Sequence, residues 1–303
     1  MANLGVFIGD VFLKNPVITA SGTFGFGREY NEFYPIGKLG GISCKGTTLA
    51  ERPGNPPPRI AETPSGIINS VGLQNPGIEH FIKEDLGWVK NQGTVAIANI
   101  AGCTVEEYCT IAEILSDTEV DIIELNISCP NVKEGGVSFG TSANSVENIT
   151  QQVKMHTSKP IMVKLTPNVT DIAEIAKAAE SGGADSISLI NTITGMRIDI
   201  NSRRPILRNN TGGLSGRAVF PVAVRMVWQA AQAVNIPVVG MGGIATWQDA
   251  VEMMLAGASA IQVGTANFTD AYTPIKIIEG LEKYLDDNEI KDISEIVGKV
   301  EIW

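Results

Sequence analysis

Residues 161–191, with the sequence IMVKLTPNVTDIAEIAKAAESGGADSISLIN, contain two short apolar runs separated by a helical pattern. The runs Ile161–Leu165 and Ser186–Asn191 have the length and the Val and Ile content of buried strands, and Asp171–Ser181 lies between them as a helix. The pair Gly182-Gly183 follows that helix, which is typical of a helix C-terminus. A strand, a helix and a second strand in this order predict two parallel strands with the helix packed outside them.

The same alternation of apolar runs and helical patterns extends along the rest of the chain. The further candidate strands are Val17–Ala20, Gly41–Lys45, Thr94–Asn99, Ile122–Asn126, Val238–Met241 and Ala260–Val263. The further candidate helices are Thr104–Leu115, Ser145–His156, Phe220–Ala233, Thr246–Ala256 and Pro274–Leu285. Eight strands with helices between them predict an α/β fold, a closed (β/α)8 TIM barrel that forms a single domain over residues 1–303.

The glycine spacing argues against the other common α/β architecture, an open doubly wound sheet. That fold usually has fewer strands and a Gly-x-Gly-x-x-Gly motif after the first one. Residues 22–27 read Gly-Thr-Phe-Gly-Phe-Gly, which does not fit the motif. We therefore expect a closed barrel.

Two segments lie outside the simple barrel pattern. Residues Leu4–Leu13 predict a β-hairpin that turns at Gly9-Asp10 and covers the bottom of the barrel. Residues Glu51–Gly77 are rich in Pro and Gly and predict a long inserted loop. Loops of this length in a compact domain are often functional, so we expect this one to reach the active site.

The composition limits the partners that the protein can have. The chain carries a formal net charge of -10, which argues against nucleic acid or an anionic membrane as the main partner. Its first residues lack the pattern of a signal peptide, and no apolar run approaches the roughly 20 residues that span a bilayer. The four cysteines form no CxxC pair, and neither histidine stands at metal-ligand spacing. These observations predict a cytoplasmic protein with reduced thiols and no metal site.

Small, amide and lysine side chains stand at the carboxyl ends of the predicted strands, where barrel enzymes form their sites. The residues at these ends are Ser21, Lys45, Gly46, Asn99, Asn126, Lys164, Asn191, Thr192, Gly242, Gly243, Gly264 and Thr265. Each alone is typical of a cap or a turn, but together they predict one site at one mouth of the barrel. The glycines after the last two strands leave backbone N–H groups open to an anion, which predicts a phosphate site there.

Amide side chains and one cysteine narrow the chemistry of this mouth. Four asparagines are predicted to face a single pocket: Asn69, Asn126, Asn131 and Asn191. Amides suit a planar ligand that alternates N–H and C=O groups, such as a pyrimidine. Cys129 stands between two of these asparagines after the fourth strand and is the candidate general base. The other cysteines are interpreted as small buried residues: Cys44, Cys103 and Cys109.

Lys45 and Lys164 end the second and the fifth predicted strands. A lysine inside a barrel mouth is costly unless it has an anionic partner. Two roles fit such a lysine. It can form a Schiff base, as in an aldolase-like lyase, or it can stabilise negative charge on a substrate or on a reduced flavin.

Several motifs resemble those of a known family, the class 1 dihydroorotate dehydrogenases. Residues 126–131, Asn-Ile-Ser-Cys-Pro-Asn, resemble the family's active-site motif, and residues 69–73, Asn-Ser-Val-Gly-Leu, resemble its substrate loop. The segments 213–216, 242–243 and 264–265 resemble its FMN-binding segments. The resemblance covers nearly the whole chain, and the combination of motifs is specific.

The resemblance implies one FMN across the barrel mouth, with its phosphate at Gly242, Gly243, Gly264 and Thr265. The residues implied to contact the flavin are Ser21, Lys45, Gly46, Asn99, Asn126, Lys164, Ile190 and Gly216. The residues implied to hold dihydroorotate are Lys45, Asn69, Ser70, Val71, Gly72, Leu73, Asn126, Asn131, Asn191 and Thr192. Cys129 would take a proton from C5 while a hydride passes from C6 to the flavin, and Lys164 would stabilise the reduced flavin.

The resemblance also separates subclasses that use different electron acceptors. Class 2 enzymes have serine at the base position and an N-terminal membrane-associating extension, whereas this sequence has Cys129 and shows no such extension. Residues 132–140, Val-Lys-Glu-Gly-Gly-Val-Ser-Phe-Gly, look like the NAD-linked class 1B and not the fumarate-linked class 1A. Class 1B implies an electron-transfer partner subunit with FAD and a 2Fe-2S cluster, around a homodimer core in a heterotetramer.

The predicted activity is therefore the oxidation of dihydroorotate to orotate in pyrimidine biosynthesis, with electrons passed to NAD. Residues 131–142 carry Gly135, Gly136 and Gly140 and are predicted to close over the substrate; an ordinary surface loop is the alternative. Three other functions stay open at this point. They are the FMN domain of a dihydropyrimidine dehydrogenase, a lyase that uses Lys164 as a Schiff base, and a subunit that binds FMN only structurally.

Overall fold

The computed structural model describes residues 2–127 and 139–303, and its centre is a closed barrel of eight parallel strands. The barrel strands are β1 (Val17–Thr19), β2 (Gly41–Ser43), β3 (Val95–Ile100), β4 (Ile122–Asn126), β5 (Ile161–Lys164), β6 (Ser186–Leu189), β7 (Val238–Met241) and β8 (Ala260–Val263). They follow the chain order, and β8 closes the barrel on β1 through the pair Ile261 and Val17. The predicted (β/α)8 barrel is confirmed.

Six long helices pack around the barrel. They are α1 (Val105–Ser116), α2 (Ala143–Lys154), α3 (Ile172–Ser181), α4 (Phe220–Ala231), α5 (Trp247–Leu255) and α6 (Thr273–Asp287). Three begin at the side chains that the sequence marks as caps: Thr104, Asp171 and Thr246 each accept a hydrogen bond from the first turn. Helix α2 begins at Ala143, two residues before its predicted start at Ser145. Ser142 occupies the N-cap, and its side chain accepts no capping hydrogen bond.

Shorter elements complete the connections. The short α-helices are Arg28–Asn31, Ile78–His80, Gly87–Asn91 and Ala266–Thr269, and Phe81–Leu86 forms a π-helix. The single turns of 3-10 helix are Ile36–Lys38, Phe139–Thr141, Arg217–Val219 and Ile293–Ile296. Within residues 2–127 and 139–303, no helix combines the length and the apolar character that crossing a bilayer requires.

The predicted N-terminal hairpin is confirmed. Strands Val6–Ile8 and Val11–Leu13 pair antiparallel, with Gly9 at the turn in a left-handed conformation (φ +58). A Cβ on Gly9 would lie 3.6 Å from Cβ of Asp185, the residue before β6. The hairpin therefore packs at the amino ends of the strands, which is the bottom of the barrel and the end opposite the mouth.

An antiparallel sheet lies over the mouth of the barrel. Its strands, in sheet order, are Ile193–Gly195, Gly212–Ser215, Gly66–Asn69 and Ile60–Thr63. The prediction of a plain loop over Glu51–Gly77 is therefore wrong for residues 60–69, which form a hairpin. The two halves of this sheet come from segments more than 120 residues apart, so local sequence does not show that they pair. A further small ladder joins Ile198–Asp199 to Arg204–Pro205.

Candidate active site

A cavity of about 1250 Å³ opens at the carboxyl ends of the barrel strands, and residues that end or follow all eight strands line it. The predicted site residues that line this cavity are Ser21, Lys45, Gly46, Asn69, Ser70, Val71, Gly72, Leu73, Asn99, Asn126, Lys164, Ile190, Asn191, Thr192, Gly216, Gly242, Gly243, Gly264 and Thr265. The structure thus brings together every predicted site residue that it describes. Their individual binding roles stay predictions.

Two predicted site residues, Cys129 and Asn131, lie outside the described residues, as does most of the predicted lid 131–142. Its last residues are described: Gly140 donates its backbone N–H to the carbonyl of Ile127 at 3.0 Å, and Thr141 lines the cavity. Closure of this segment over a substrate stays a prediction.

One side of the cavity is formed by glycine backbone. Gly216, Gly242 and Gly243 have φ of +106, +124 and +79, a region that favours glycine. A Cβ on Gly243 would lie 2.9 Å from the carbonyl oxygen of Gly216 and 2.7 Å from Cβ of Phe220. The close approach of these segments leaves a backbone-lined cradle, and the hydroxyl of Thr265 donates to Ser215 Oγ at 2.8 Å beside it. Such a cradle suits a phosphate group, which binds to backbone N–H groups.

Two lysines bring positive charge to the other side of the cavity. Lys164, at the end of β5, is only 4% exposed, and its Nζ donates to Ser21 Oγ at 3.3 Å. Lys45 follows β2, and burial lowers its pKa, with the nearby charge of Arg59 lowering it further. A partly desolvated cation favours an anionic ligand or cofactor beside it.

Beneath the mouth, the barrel interior holds a buried carboxylate, Glu124 of β4, which is 0% exposed. Its oxygens accept four hydrogen bonds: from Ser43 Oγ at 2.7 Å, Asn99 Nδ2 at 2.6 Å, Ser188 Oγ at 2.8 Å and Gln262 Nε2 at 2.8 Å. Burial raises the pKa of Glu124, but the charge of Lys164 and these hydrogen bonds outweigh it and leave the pKa lowered. The carboxylate is therefore ionised at neutral pH.

The amide side chains meet at the centre of the mouth. Asn191 Nδ2 donates to Asn126 Oδ1 at 3.3 Å, and the backbone carbonyl of Asn126 accepts from the hydroxyl of Tyr108 at 2.8 Å. Asn69 comes from the inserted sheet, where it pairs with Gly213 and donates to its carbonyl at 3.4 Å. This cross-strand pair positions the segment 69–73 against the barrel.

Residues 69–73 are shaped by backbone as much as by side chains. Gly72 and Leu73 both have positive φ, of +79 and +54, and Asn55 donates to the carbonyl of Ser70 at 2.9 Å. A Cβ on Gly72 would lie 2.6 Å from the side-chain amide of Asn55. The segment therefore forms a tight turn on the rim of the cavity.

Sequence reasoning missed Glu124 and Gln262, which lie in the interior of the barrel. The available signal was the charge itself, because Glu124 interrupts an otherwise apolar strand that reads Ile-Ile-Glu-Leu-Asn. Only the closed barrel shows that Gln262 of the last strand donates to this residue of the fourth. Thr166 and Asn168 also line the cavity and were not predicted.

The sequence is similar to those of known proteins over nearly its whole length. The family model described as dihydroorotate dehydrogenase matches residues 4–285. A protein of Alkaliphilus oremlandii named dihydroorotate dehydrogenase B (NAD(+)), catalytic subunit, is 58% identical over 298 residues, covering 98% of this chain and 99% of the relative. Proteins of the same name from Bacteroides thetaiotaomicron and Thermoanaerobacter pseudethanolicus are 54% and 53% identical, and cover 100% and 99% of both chains.

Proposed function

Because the chain belongs to the dihydroorotate dehydrogenase family, we propose that it is the catalytic subunit of an NAD-linked enzyme that oxidises dihydroorotate to orotate in pyrimidine biosynthesis. The observation that carries the proposal is the cavity at the strand ends, which gathers the described residues of the family's motifs around one mouth. The predicted family membership is confirmed. The names of the relatives do not favour the fumarate-linked class 1A alternative.

The residues of the cavity fit an FMN cofactor. The glycine cradle at Gly216, Gly242 and Gly243 would hold the phosphate, together with Gly264 and Thr265. Ser21, Lys45, Gly46, Asn99, Asn126, Lys164 and Ile190 would contact the ring system. One supporting observation is that the buried Oδ1 of Asn99 has no partner among the described residues, so a ring N–H donor could satisfy it. FMN, when bound, supplies an acceptor for the hydride from the substrate.

The rest of the mouth would hold the substrate. Lys45 would face the carboxylate of dihydroorotate, because its partly desolvated charge favours an anion. The amides would pair with the N–H and C=O groups of the pyrimidine ring. The proposed substrate residues are Lys45, Asn69, Ser70, Val71, Gly72, Leu73, Asn126, Asn131, Asn191 and Thr192.

Two residues are proposed to handle proton and charge. Cys129 would remove the proton from C5 of dihydroorotate as general base, a role that rests on its place in the motif 126–131. Lys164 would hold a positive charge against the ring that receives the hydride, which favours negative charge there. The family motif and the 4% exposure of Lys164 support these assignments.

The proposal extends to partners. A catalytic subunit in the relatives' name implies a second subunit, and we assign to that partner the FAD and 2Fe-2S cluster that carry electrons to NAD. We also propose a homodimer core within a heterotetramer, one FMN-binding domain over residues 1–303 and a cytoplasmic location. Their support is the family resemblance and, for the location, the absence of a CxxC pair from the sequence.

An anaerobic visible spectrum of the purified chain tests the proposal. We expect a yellow protein whose flavin absorbance is bleached by dihydroorotate and not by dihydrouracil. A chain that stays colourless after FMN is supplied would contradict the flavin assignment. Bleaching by dihydrouracil alone would move the substrate to the dihydropyrimidine dehydrogenase alternative.

The lowered pKa of Lys45 gives a pH-dependent prediction for substrate binding. Since the charged lysine would bind the carboxylate, orotate affinity should fall as pH rises through the lowered pKa of Lys45. Arg59→Gln removes one cause of the lowering, so the midpoint of this loss should move to higher pH, while burial, the larger cause, remains. Orotate titrations of the FMN-loaded protein between pH 7 and pH 10, followed by the flavin spectrum, measure that midpoint.

Arg52→Gln is the matched control, because Arg52 and Arg59 line the same side pocket next to Lys45. The charge of Arg52 is not among the causes that lower the pKa of Lys45, so its midpoint should stay at the wild-type value. Equal midpoints in all three proteins would show that Lys45 is not the group that titrates with binding.

A further inference from the structure

Glu124 lies at the centre of the barrel, and the proposed chemistry assigns it no role. All of its hydrogen bonds come from side chains of other barrel strands, β2, β3, β6 and β8. A carboxylate that accepts four hydrogen bonds is held in one orientation and in its ionised form. The interior of the barrel thus contains a fixed negative charge directly below the residues that line the mouth.

Lys164 carries the opposite charge on the neighbouring strand β5, where the register pairs it with Asn126, two residues beyond Glu124 on β4. Its attraction is the largest of the effects that lower the pKa of Glu124, ahead of the hydrogen bonds. Lys164 is 4% exposed, and burying an ammonium without a counter-charge is costly. The carboxylate on the neighbouring strand therefore favours the buried position of the ammonium.

We propose that Glu124 is a positioning residue for Lys164: the carboxylate of Glu124 attracts the lysine ammonium and holds it at the mouth of the barrel. The inference rests on the proposed function, in which Lys164 acts on the bound FMN. A purely structural role is the competing explanation, in which the cluster around Glu124 only ties the barrel strands together.

Glu124→Gln separates the two explanations because it removes the charge and keeps the shape. The new NH2 group would face donors, but Gln262 can rotate its amide. Its Oε1 atom is buried and has no partner among the described residues. The rotated amide would offer this oxygen to the glutamine, so the barrel keeps its hydrogen bonds.

The first readout needs neither flavin nor substrate. The apoprotein is treated with acetic anhydride at pH 8, and acetylation of Lys164 is followed by mass spectrometry. We expect Lys164 to react about tenfold faster in Glu124→Gln, because a lysine that the carboxylate no longer holds leaves its buried position more often; a factor of ten corresponds to about 1.4 kcal/mol of lost attraction. Ser43→Ala is the matched control: it removes one hydrogen bond to Glu124 and leaves the carboxylate, so the rate should stay within about twofold of wild type.

The second readout is the ratio of reduced to oxidised FMN on the protein, measured against a redox dye. We expect this ratio to fall at least about threefold in Glu124→Gln, since a Lys164 ammonium that is no longer held in place stabilises the reduced ring less. Ser43→Ala should again resemble wild type. Unchanged Lys164 acetylation in folded Glu124→Gln would overturn the inference, and so would an unchanged ratio.

The two readouts also separate this inference from the proposed function. Faster acetylation in a protein that binds no FMN would support the pairing of Glu124 with Lys164 and contradict the flavin assignment. If Glu124→Gln does not fold, Glu124→Asp replaces it, because the shorter side chain draws the carboxylate back. Lys164 should then be acetylated faster than in wild type, and a wild-type rate in folded Glu124→Asp would overturn the inference.

Discussion

Replacing Cys129 by serine is expected to slow the reduction of bound FMN by dihydroorotate by about 10²–10⁴-fold at pH 7, the range typical of general-base catalysis. The reason is that a hydroxyl is a far weaker base than a thiolate, while the two side chains have nearly the same size. Affinity for orotate should change little, since the thiol is assigned to proton transfer and not to holding the ring. Anaerobic stopped-flow measurement of flavin absorbance gives the rate, and orotate titration gives the affinity.

Another cysteine provides the control for this variant. Burial raises the pKa of Cys44 to about 12, with the charge of Asp85 adding to the effect, and burial also raises the pKa of Cys109. Cys103 is less buried, and its sulfur lies 2.7 Å from Nη2 of Arg52, away from the cavity. Cys103→Ser should therefore reduce FMN at the wild-type rate. A wild-type rate in Cys129→Ser would remove the cysteine from the mechanism.

The barrel was predictable because its strands can be recognised from the local sequence pattern. Six predicted strands match the observed ones to within one residue at each end: Val17–Ala20, Thr94–Asn99, Ile122–Asn126, Ile161–Leu165, Val238–Met241 and Ala260–Val263. Each is a short apolar run next to a helical pattern, and burial on both faces selects Val and Ile throughout. Strand–helix alternation then leaves few topologies, because parallel neighbours need crossover connections.

The inserted sheet was not predictable from local sequence. Residues 60–69 have proline, glycine and charged neighbours, and their strand Gly66–Asn69 pairs with Gly212–Ser215. That pairing depends on the barrel first bringing the connections after β2 and β6 to the same rim. Residues at strand ends could be assigned to one mouth because the fold alone places them there.

The cluster of polar side chains around Glu124 shows a second limit of prediction from sequence. Glu124 was visible as a charge in an apolar strand, but its meaning depends on partners from four other strands. A buried carboxylate is interpretable only when its donors and its counter-charge are known. The sequence therefore predicts the rim of the site better than the charged core that supports it.

Replacing Gly243 by alanine is expected to weaken FMN binding by at least about tenfold, and binding could be lost altogether, since about 1.4 kcal/mol already corresponds to a factor of ten. The new Cβ would lie 2.9 Å from the carbonyl oxygen of Gly216 and from the backbone nitrogen of Phe220, and 2.7 Å from Cβ of Phe220. Backbone atoms at these distances can separate only if the cradle opens. FMN titration of the apoprotein, followed by quenching of flavin fluorescence, gives the Kd.

The φ of +79 at Gly243 adds backbone strain of about 1–2 kcal/mol for any L-residue, which by itself lowers stability. Gly93→Ala is the matched control for that strain, because Gly93 has a φ of +71, no atom within 4 Å of the added Cβ, and a place before β3 at the opposite end of the barrel. Both variants should lose a similar free energy of unfolding from strain, but only Gly243→Ala should lose affinity for FMN. Equal FMN affinities in the two variants would move the phosphate away from the glycine cradle, because only Gly243→Ala forces the segments of that cradle apart.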